Sequence, residues 1–110
     1  MSPSTFLGEF EQMVLLAILQ AGDEAFALEV RREIERSADR KVSRGAFYTT
    51  LDRLERKRLL TWVEAVPADD RTAQALRRYA VTEEGVDALR VSREALMNLW
   101  RDLDGVLERA

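Results

Sequence analysis

Apolar positions along the chain fall into blocks whose period changes from helical to extended and back. From Gly8 to Gln20, residues Phe10, Met13, Val14, Leu16, Ala17, Ile18 and Leu19 cover most of a helix circumference. A helix of that kind must be enclosed on several sides, by its own domain and by a partner element. Ala21-Gly22-Asp23 ends it, since glycine takes the left-handed cap conformation. A second helix is expected over 27–38, with Leu28, Val30 and Ile34 as its buried stripe and charged residues elsewhere. After the short polar link 39–42, Ser43 is placed to cap a third helix over about 44–57. There Phe47, Leu51 and Leu54 recur at i, i+4 and i+7, so they define the buried face. The opposite face presents Gly45, Thr49, Asp52 and Arg56, with Tyr48 and Arg53 on the flanks.

Beyond Leu59 the pattern becomes extended. Residues 60–66 and 77–81 are rich in strand formers. The ten residues between them are too many for a tight hairpin, so a mobile loop is expected over 67–76. Two helices joined by a short turn, followed by a two-stranded hairpin, make a winged helix-turn-helix. Thr82 then caps a last helix, with Glu83 and Glu84 well placed against its dipole. Its periodicity runs to about Glu108, roughly 40 Å at 1.5 Å per residue. Leu89, Leu96 and Leu103 are spaced by seven, as are Val86, Arg93, Trp100 and Leu107, and Leu99 and Val106 widen the stripe. Such a helix either pairs with another, as a dimer arm, or folds back on its own domain. Arg93 in the seam and Gly105 near the end argue against an uninterrupted zipper. The expected architecture is mainly α with a small β-hairpin: a winged helix-turn-helix domain over 1–81 and a long dimerisation helix over 82–110.

Composition narrows the chemistry. The 110 residues contain neither cysteine nor histidine, which removes disulfides, thiolate chemistry and the commonest general base. No enzymatic activity and no cofactor are expected. The longest apolar run, residues 13–19, is too short to span a bilayer, and no basic segment precedes it, so a cytoplasmic protein without a membrane partner is expected. Met1 to Thr5 reads as a disordered polar tail. The net charge of −3 conceals an asymmetry: residues 1–30 carry five acids and no base, whereas residues 31–58 carry ten Lys/Arg against five Asp/Glu. Such a block is either the electrostatic footprint of a polyanion partner or a solvated helix surface with internal ion pairs.

Four stretches carry a family resemblance that spans Leu7 to about Leu107. They are LGEFEQMVLLAIL (7–19), VSRGAFYTTLDRLERKRLL (42–60), RRYAVTEEG (77–85) and the final helix with Leu99-Trp100. Together they resemble the PadR-family transcriptional regulators, in the smaller subfamily with a single C-terminal helix. The resemblance implies a winged helix with a C-terminal dimerisation helix, a homodimer joined through its first and last helices, and binding of double-stranded DNA at inverted promoter repeats, usually as a repressor. The sequence departs from the family at Arg58, where Gly is frequent, and at Ala46, where Thr or Ser is frequent. The wing tip is also less cationic, reading DDRTAQALRR over 69–78.

If the chain reads DNA, phosphate neutralisation supplies most of the affinity and a few side chains of the third helix supply specificity. Ser43 and Tyr48 resemble family positions that touch the DNA backbone. Arg44 could reach a guanine edge or serve as a solvated cap, and Thr49 could meet a thymine methyl. Lys41, Arg53 and Arg56 are cast as phosphate contacts, and the wing would contribute through Arg71, Arg77 or Arg78. Asp52 is expected to pair with Arg56 at i, i+4 rather than accept from cytosine. Dimerisation is assigned to Val86, Leu89, Leu96, Leu99, Trp100, Leu103 and Leu107. Trp100 with Met97 and Phe10 could also line a small-molecule pocket for a planar effector, as in multidrug-responsive relatives, or Trp100 could simply anchor the interface. The alternative from another class is a winged-helix protein-interaction module that does not bind DNA.

Overall fold

A computed structural model describes residues 7–68 and 74–109. Three helices form the first layer: α1 (Glu9–Ala21), α2 (Ala27–Ala38) and α3 (Arg44–Arg56). Val14, Leu15 and Ile18 of α1 meet Val30 and Ile34 of α2 and Phe47, Leu51 and Leu54 of α3 in one buried cluster. The periodic positions therefore face inward as their spacing requires. Leu16 and Leu19 of α1 and Leu28 of α2 are the exceptions, each 49% exposed: Leu28, expected in the buried stripe, faces outward from the first turn of α2, and the two α1 leucines leave one apolar side of that helix open. Ser43 caps α3 by accepting the Ala46 N–H at 3.1 Å, and Asp39 closes α2 in the left-handed region at φ 50°.

Strands β1 (Leu60–Ala65) and β2 (Leu76–Val81) pair antiparallel, with Leu60 opposite Val81, Trp62 opposite Tyr79 and Glu64 opposite Arg77. The other edge of β2 is met by the link between α1 and α2: Phe26 bridges to Arg78, and the Tyr79 N–H donates to the Ala25 carbonyl at 2.8 Å. The hairpin is thereby tied to the helical layer. Of the mobile loop expected over 67–76, Leu76 instead opens β2, and residues 69–73, Arg71 among them, lie outside the described residues, as does the tail at 1–5.

Helix α4 (Glu83–Leu99) is capped as expected, with the Thr82 hydroxyl accepting the Gly85 N–H at 3.0 Å. It ends nine residues earlier than its periodicity suggested, however, so its length is about 26 Å rather than 40 Å. Asp102 takes a left-handed conformation at φ 62°, and the Leu103 N–H turns back to the Trp100 carbonyl at 3.0 Å. A short helix α5 (Asp104–Leu107) follows. A short polar side chain tolerates the left-handed region better than most, and Asp104 suits the positive end of a new helix, so the chain breaks there despite continuing heptads. Leu103 and Leu107 consequently leave the stripe begun by Leu89 and Leu96.

The junction of α3, the hairpin and α4 is closely packed around Gly85. A Cβ on Gly85 would lie 2.2 Å from the Leu59 carbonyl oxygen and 2.6 Å from Val81 Cγ1. The Thr82 N–H donates to that same Leu59 carbonyl at 3.1 Å, and the Thr82 hydroxyl donates to the Arg58 carbonyl at 2.8 Å. Arg58 itself sits at φ 63°. That is the conformation glycine adopts without steric cost and an arginine adopts only at some cost. Gly85→Ala should destabilise the fold by at least about 2 kcal/mol, because the new methyl meets backbone that cannot yield. Urea unfolding followed by circular dichroism measures the loss, and an unchanged midpoint would contradict the assignment.

Candidate nucleic-acid interface

Helix α3 turns Phe47, Thr50, Leu51 and Leu54 into the core and leaves Gly45, Ala46, Thr49, Asp52 and Arg56 exposed. Its N-terminus is organised around Tyr48. That ring stands edge-on to Phe47 at 5.4 Å between centroids, and the Arg44 guanidinium lies over its face at 5.8 Å. The buried Phe47 thus positions Tyr48, and Tyr48 orients Arg44. Ser43 uses its oxygen to cap the helix, yet its hydroxyl proton is still available to a further acceptor. Lys41, in the preceding link, is exposed.

The cations divide into two sets. Arg40 lies 3.5 Å from Glu9 and over the Phe10 ring at 5.5 Å, Arg32 lies 3.9 Å from Glu29, and Arg36 pairs with Glu33. Lys57 and Arg53 both turn toward α1, where they reach Glu11 Oε2 at 2.8 and 4.0 Å. Arg53, expected at a groove wall, is therefore directed to the flank of α1. The half-buried Arg31 and the exposed Lys41, Arg44, Arg56 and Arg58 have no acidic partner among the described residues. The expected Asp52–Arg56 pair does not form either. An exposed i, i+4 pair is worth only about 0.3–0.5 kcal/mol, which is little against the entropy of fixing two solvated side chains.

Glu11 is buried, and its other oxygen accepts the Gly8 N–H at 3.0 Å at the start of α1. Burial by itself would raise the pKa of this carboxyl. The hydrogen bonds from Lys57 and Gly8 and the charges of Lys57 and Arg53 outweigh that effect and hold it below the ordinary value of 4.5. Sequence reasoning missed this site because Glu11 and Lys57 are 46 residues apart.

The hairpin contributes a second cationic edge. Arg77 stacks on Trp62 with its guanidinium carbon 4.0 Å from the ring centroid, while the Trp62 indole N–H donates to Glu55 Oε2 at 3.1 Å. Glu55, on α3, thereby fixes the ring on which Arg77 rests. Arg78 is half-buried beside Phe26. A groove of about 610 Å³, lined by Phe26, Leu28, Tyr48, Leu76, Arg77 and Tyr79 among others, joins the start of α2 to α3 and the hairpin. It brings Tyr48 and Arg77 to one surface. Trp62 and Glu55 were legible only as a strand aromatic and a helix acid.

A second groove, about 540 Å³, runs between α1 and α4. Leu16, Leu19, Val86, Leu89, Leu96, Met97 and Trp100 line it, with Arg90 and Arg93 at its polar margin. Met97 and Trp100 are thus brought together. Phe10 does not line this groove; it packs on the core beneath Arg40. Leu99, Leu103 and Leu107 are exposed but are not among the lining residues. Among the described residues, no helix is long and apolar enough to cross a membrane, and no group of three or more acidic side chains could hold a metal ion.

Comparison with known proteins agrees with this geometry. Residues 15–91 match the model of the transcriptional regulator PadR-like family. A search of curated proteins found no match. Among solved structures, RosR of H. salinarum is similar at 25% identity and a TM-score of 0.68, covering 94% of this chain and 86% of its own. A PadR-like transcriptional regulator from Bacillus cereus shares the fold at 18% identity and a TM-score of 0.72, covering 89% and 90% of the two chains. F93 from STIV, a winged-helix DNA-binding protein, also shares it, at 18% identity and a TM-score of 0.67 over 89% and 98%.

The Glu11 site gives the fold a defined acid limb. A carboxyl whose folded pKa is depressed contributes stability above its unfolded pKa, and the contribution is lost as pH falls through the lower folded value. Unfolding free energy should therefore decline as pH falls below about 4.5. Glu11→Gln should flatten that decline, as urea titrations between pH 3 and pH 7 would register. Parallel acid limbs in the two proteins would refute the role of Glu11.

Proposed function

The chain belongs to the transcriptional regulator PadR-like family, and from that premise we propose that it is a homodimeric repressor reading an inverted-repeat promoter site with α3. Residues 1–81 act as the DNA-reading part and residues 82–110 join the two copies. The observation that carries the reading is the construction of α3. A fully buried underside fixes it, while Ser43, Arg44, Tyr48, Thr49 and Arg56 are exposed along one surface with Lys41 just before them.

In this reading the dipole and the capping hydroxyl of α3 receive a phosphate together with Tyr48 and Lys41. Arg44, already oriented by Tyr48, reaches a base edge in the major groove, and Thr49 meets a base beside it. Arg56 and Arg77 bind the backbone on either side. Arg77, stacked on Trp62, approaches with its side-chain freedom already reduced. Two copies pair through the α1–α4 groove, whose exposed Leu16, Leu19, Leu96 and Trp100 are too extensive an apolar surface to leave in water. Two-fold symmetry then sets the half-sites about 34–36 Å apart, one turn of duplex. A bound dimer excludes other proteins from the promoter, and the cytoplasm is the compartment that fits this role. A planar compound held by Trp100 and Met97 would lie within the pairing surface and so could release the dimer from DNA.

Protection of the gene's own promoter from nuclease locates the operator. Tyr48→Ala should then weaken binding across all sequences. Arg44→Ala should lose about 1–3 kcal/mol of discrimination at one base position. Unchanged binding by both variants in electrophoretic shifts would remove α3 from the interface. The pairing surface is tested separately: Leu96→Asp should yield a folded monomer in size-exclusion chromatography with light scattering, and a surviving dimer would exclude the α1–α4 groove.

A further inference from the structure

We propose that Glu11, a first-turn acid of α1, determines specificity by withholding two cations of the basic block, Arg53 and Lys57, from duplex phosphates. The proposal rests on the DNA-reading role above but concerns residues outside its contact surface. Arg53 and Lys57 are held at Glu11, whereas Arg40 meets only the exposed Glu9. The side chains of all three cations are between 39% and 49% exposed, so each has room to swing outward when its acid is removed.

Glu11 differs from an ordinary surface partner. Its side chain is only 8% exposed, and the Gly8 N–H at 3.0 Å fixes the second oxygen. A mobile surface acid drifts away when a phosphate approaches. A buried, hydrogen-bonded acid stays in place, and leaving it unpaired would be costly. Lys57 and Arg53 are therefore retained by α1 while Arg44 and Arg56 remain free.

The consequence is unequal for the two kinds of DNA complex. Binding to random duplex comes almost entirely from phosphate neutralisation and has no fixed pose, so any free cation can be turned to a phosphate. The operator complex has its pose set by the exposed surface of α3. In that pose Arg53 and Lys57 lie toward α1, and Arg40 lies over Phe10. Freeing Arg53 and Lys57 strengthens the non-specific complex and leaves the specific one nearly as it was. Glu11 thus widens the gap between operator and random DNA.

The test compares Glu9→Gln, Glu11→Gln, Lys57→Gln and Arg56→Gln with the wild type, measuring affinity for operator and for random duplex by fluorescence anisotropy from 50 to 300 mM salt. Glu11→Gln should bind random duplex about three- to tenfold more tightly at 100 mM salt, and its log–log salt slope should steepen by about 0.9 for each cation freed. Its operator affinity should change less than about twofold. Glu9→Gln should change random-duplex binding much less, since that acid is exposed and its pair with Arg40 is weak. Lys57→Gln should weaken random-duplex binding less than Arg56→Gln, because Glu11 holds the first charge and no acid holds the second. That comparison decides the matter if Glu11→Gln fails to fold. An unaltered slope in Glu11→Gln, an equal gain in Glu9→Gln, a parallel gain on operator and random DNA, or equal losses in Lys57→Gln and Arg56→Gln would each overturn the proposal. Failure of the wild type to bind any duplex would instead overturn the DNA-reading role, and this inference with it.

Discussion

The approach of Gly85 to the Leu59 carbonyl sets the geometry on which the rest of the molecule depends. At that point the end of α3, the start of β1, the end of β2 and the first turn of α4 all meet, and a side chain on residue 85 would drive them apart. The same carbonyl takes the Thr82 N–H, and the Thr82 hydroxyl serves at once as cap to α4 and donor to Arg58. The direction in which α4 leaves the domain is consequently locked to the end of α3. The exposed apolar groove lies along α4, so whatever covers that groove also orients α3. Under the proposed dimeric reading, the distance between two α3 helices is set here, by backbone contact rather than by flexible side chains.

Much of this was legible in the sequence, and the parts that were not share a physical cause. The bounds of α1, α2 and α3 followed from 3.6-residue periodicity and from the hydroxyl of Ser43, because local hydrogen bonding and one buried face decide them. Thr82 announced α4 in the same way. The end of α4 was not legible, since Leu103 and Leu107 continue the heptads and no proline interrupts them. Only the left-handed turn at Asp102 ends the helix. The Asp52–Arg56 pair was misjudged for a related reason: spacing says which side chains can meet, whereas their exposure decides whether meeting is worthwhile. Arg58 was visible as a departure from its family, but its meaning required the backbone angle.

The candidate site was legible in its inward-facing and outward-facing residues and illegible in its electrostatics. Arg44, Tyr48, Thr49 and Arg56 lie on the exposed surface that the helical period assigns them. The partition of cations depends on contacts between segments far apart in sequence, as with Glu11 and Lys57 or Glu9 and Arg40. The stacking of Arg77 on Trp62, and the hold of Glu55 on that ring, likewise arise only when α3 and the hairpin are brought together. A charge count along the chain suggests an acidic first segment and a basic second one as separate territories. In space, three of the five acids of the first segment, Glu9, Glu11 and Glu29, sit against cations of the second.

That interpenetration changes what the basic block can do. Ten Lys/Arg over residues 31–58 look like a broad polyanion surface. After the acids of α1 and α2 have taken their partners, five of the ten are left without an acid among the described residues: the half-buried Arg31 of α2, Lys41 before α3, Arg44 and Arg56 on it, and Arg58 beyond its end. The free charge is therefore concentrated along the one helix whose underside is fully buried. A block in which half of the cations are paired gains less from phosphates at random, so its contribution comes disproportionately from the surface where the free ones converge. For a reader of sequence that is the favourable arrangement, because the charge that attracts DNA and the side chains that inspect it are carried by the same rigid element.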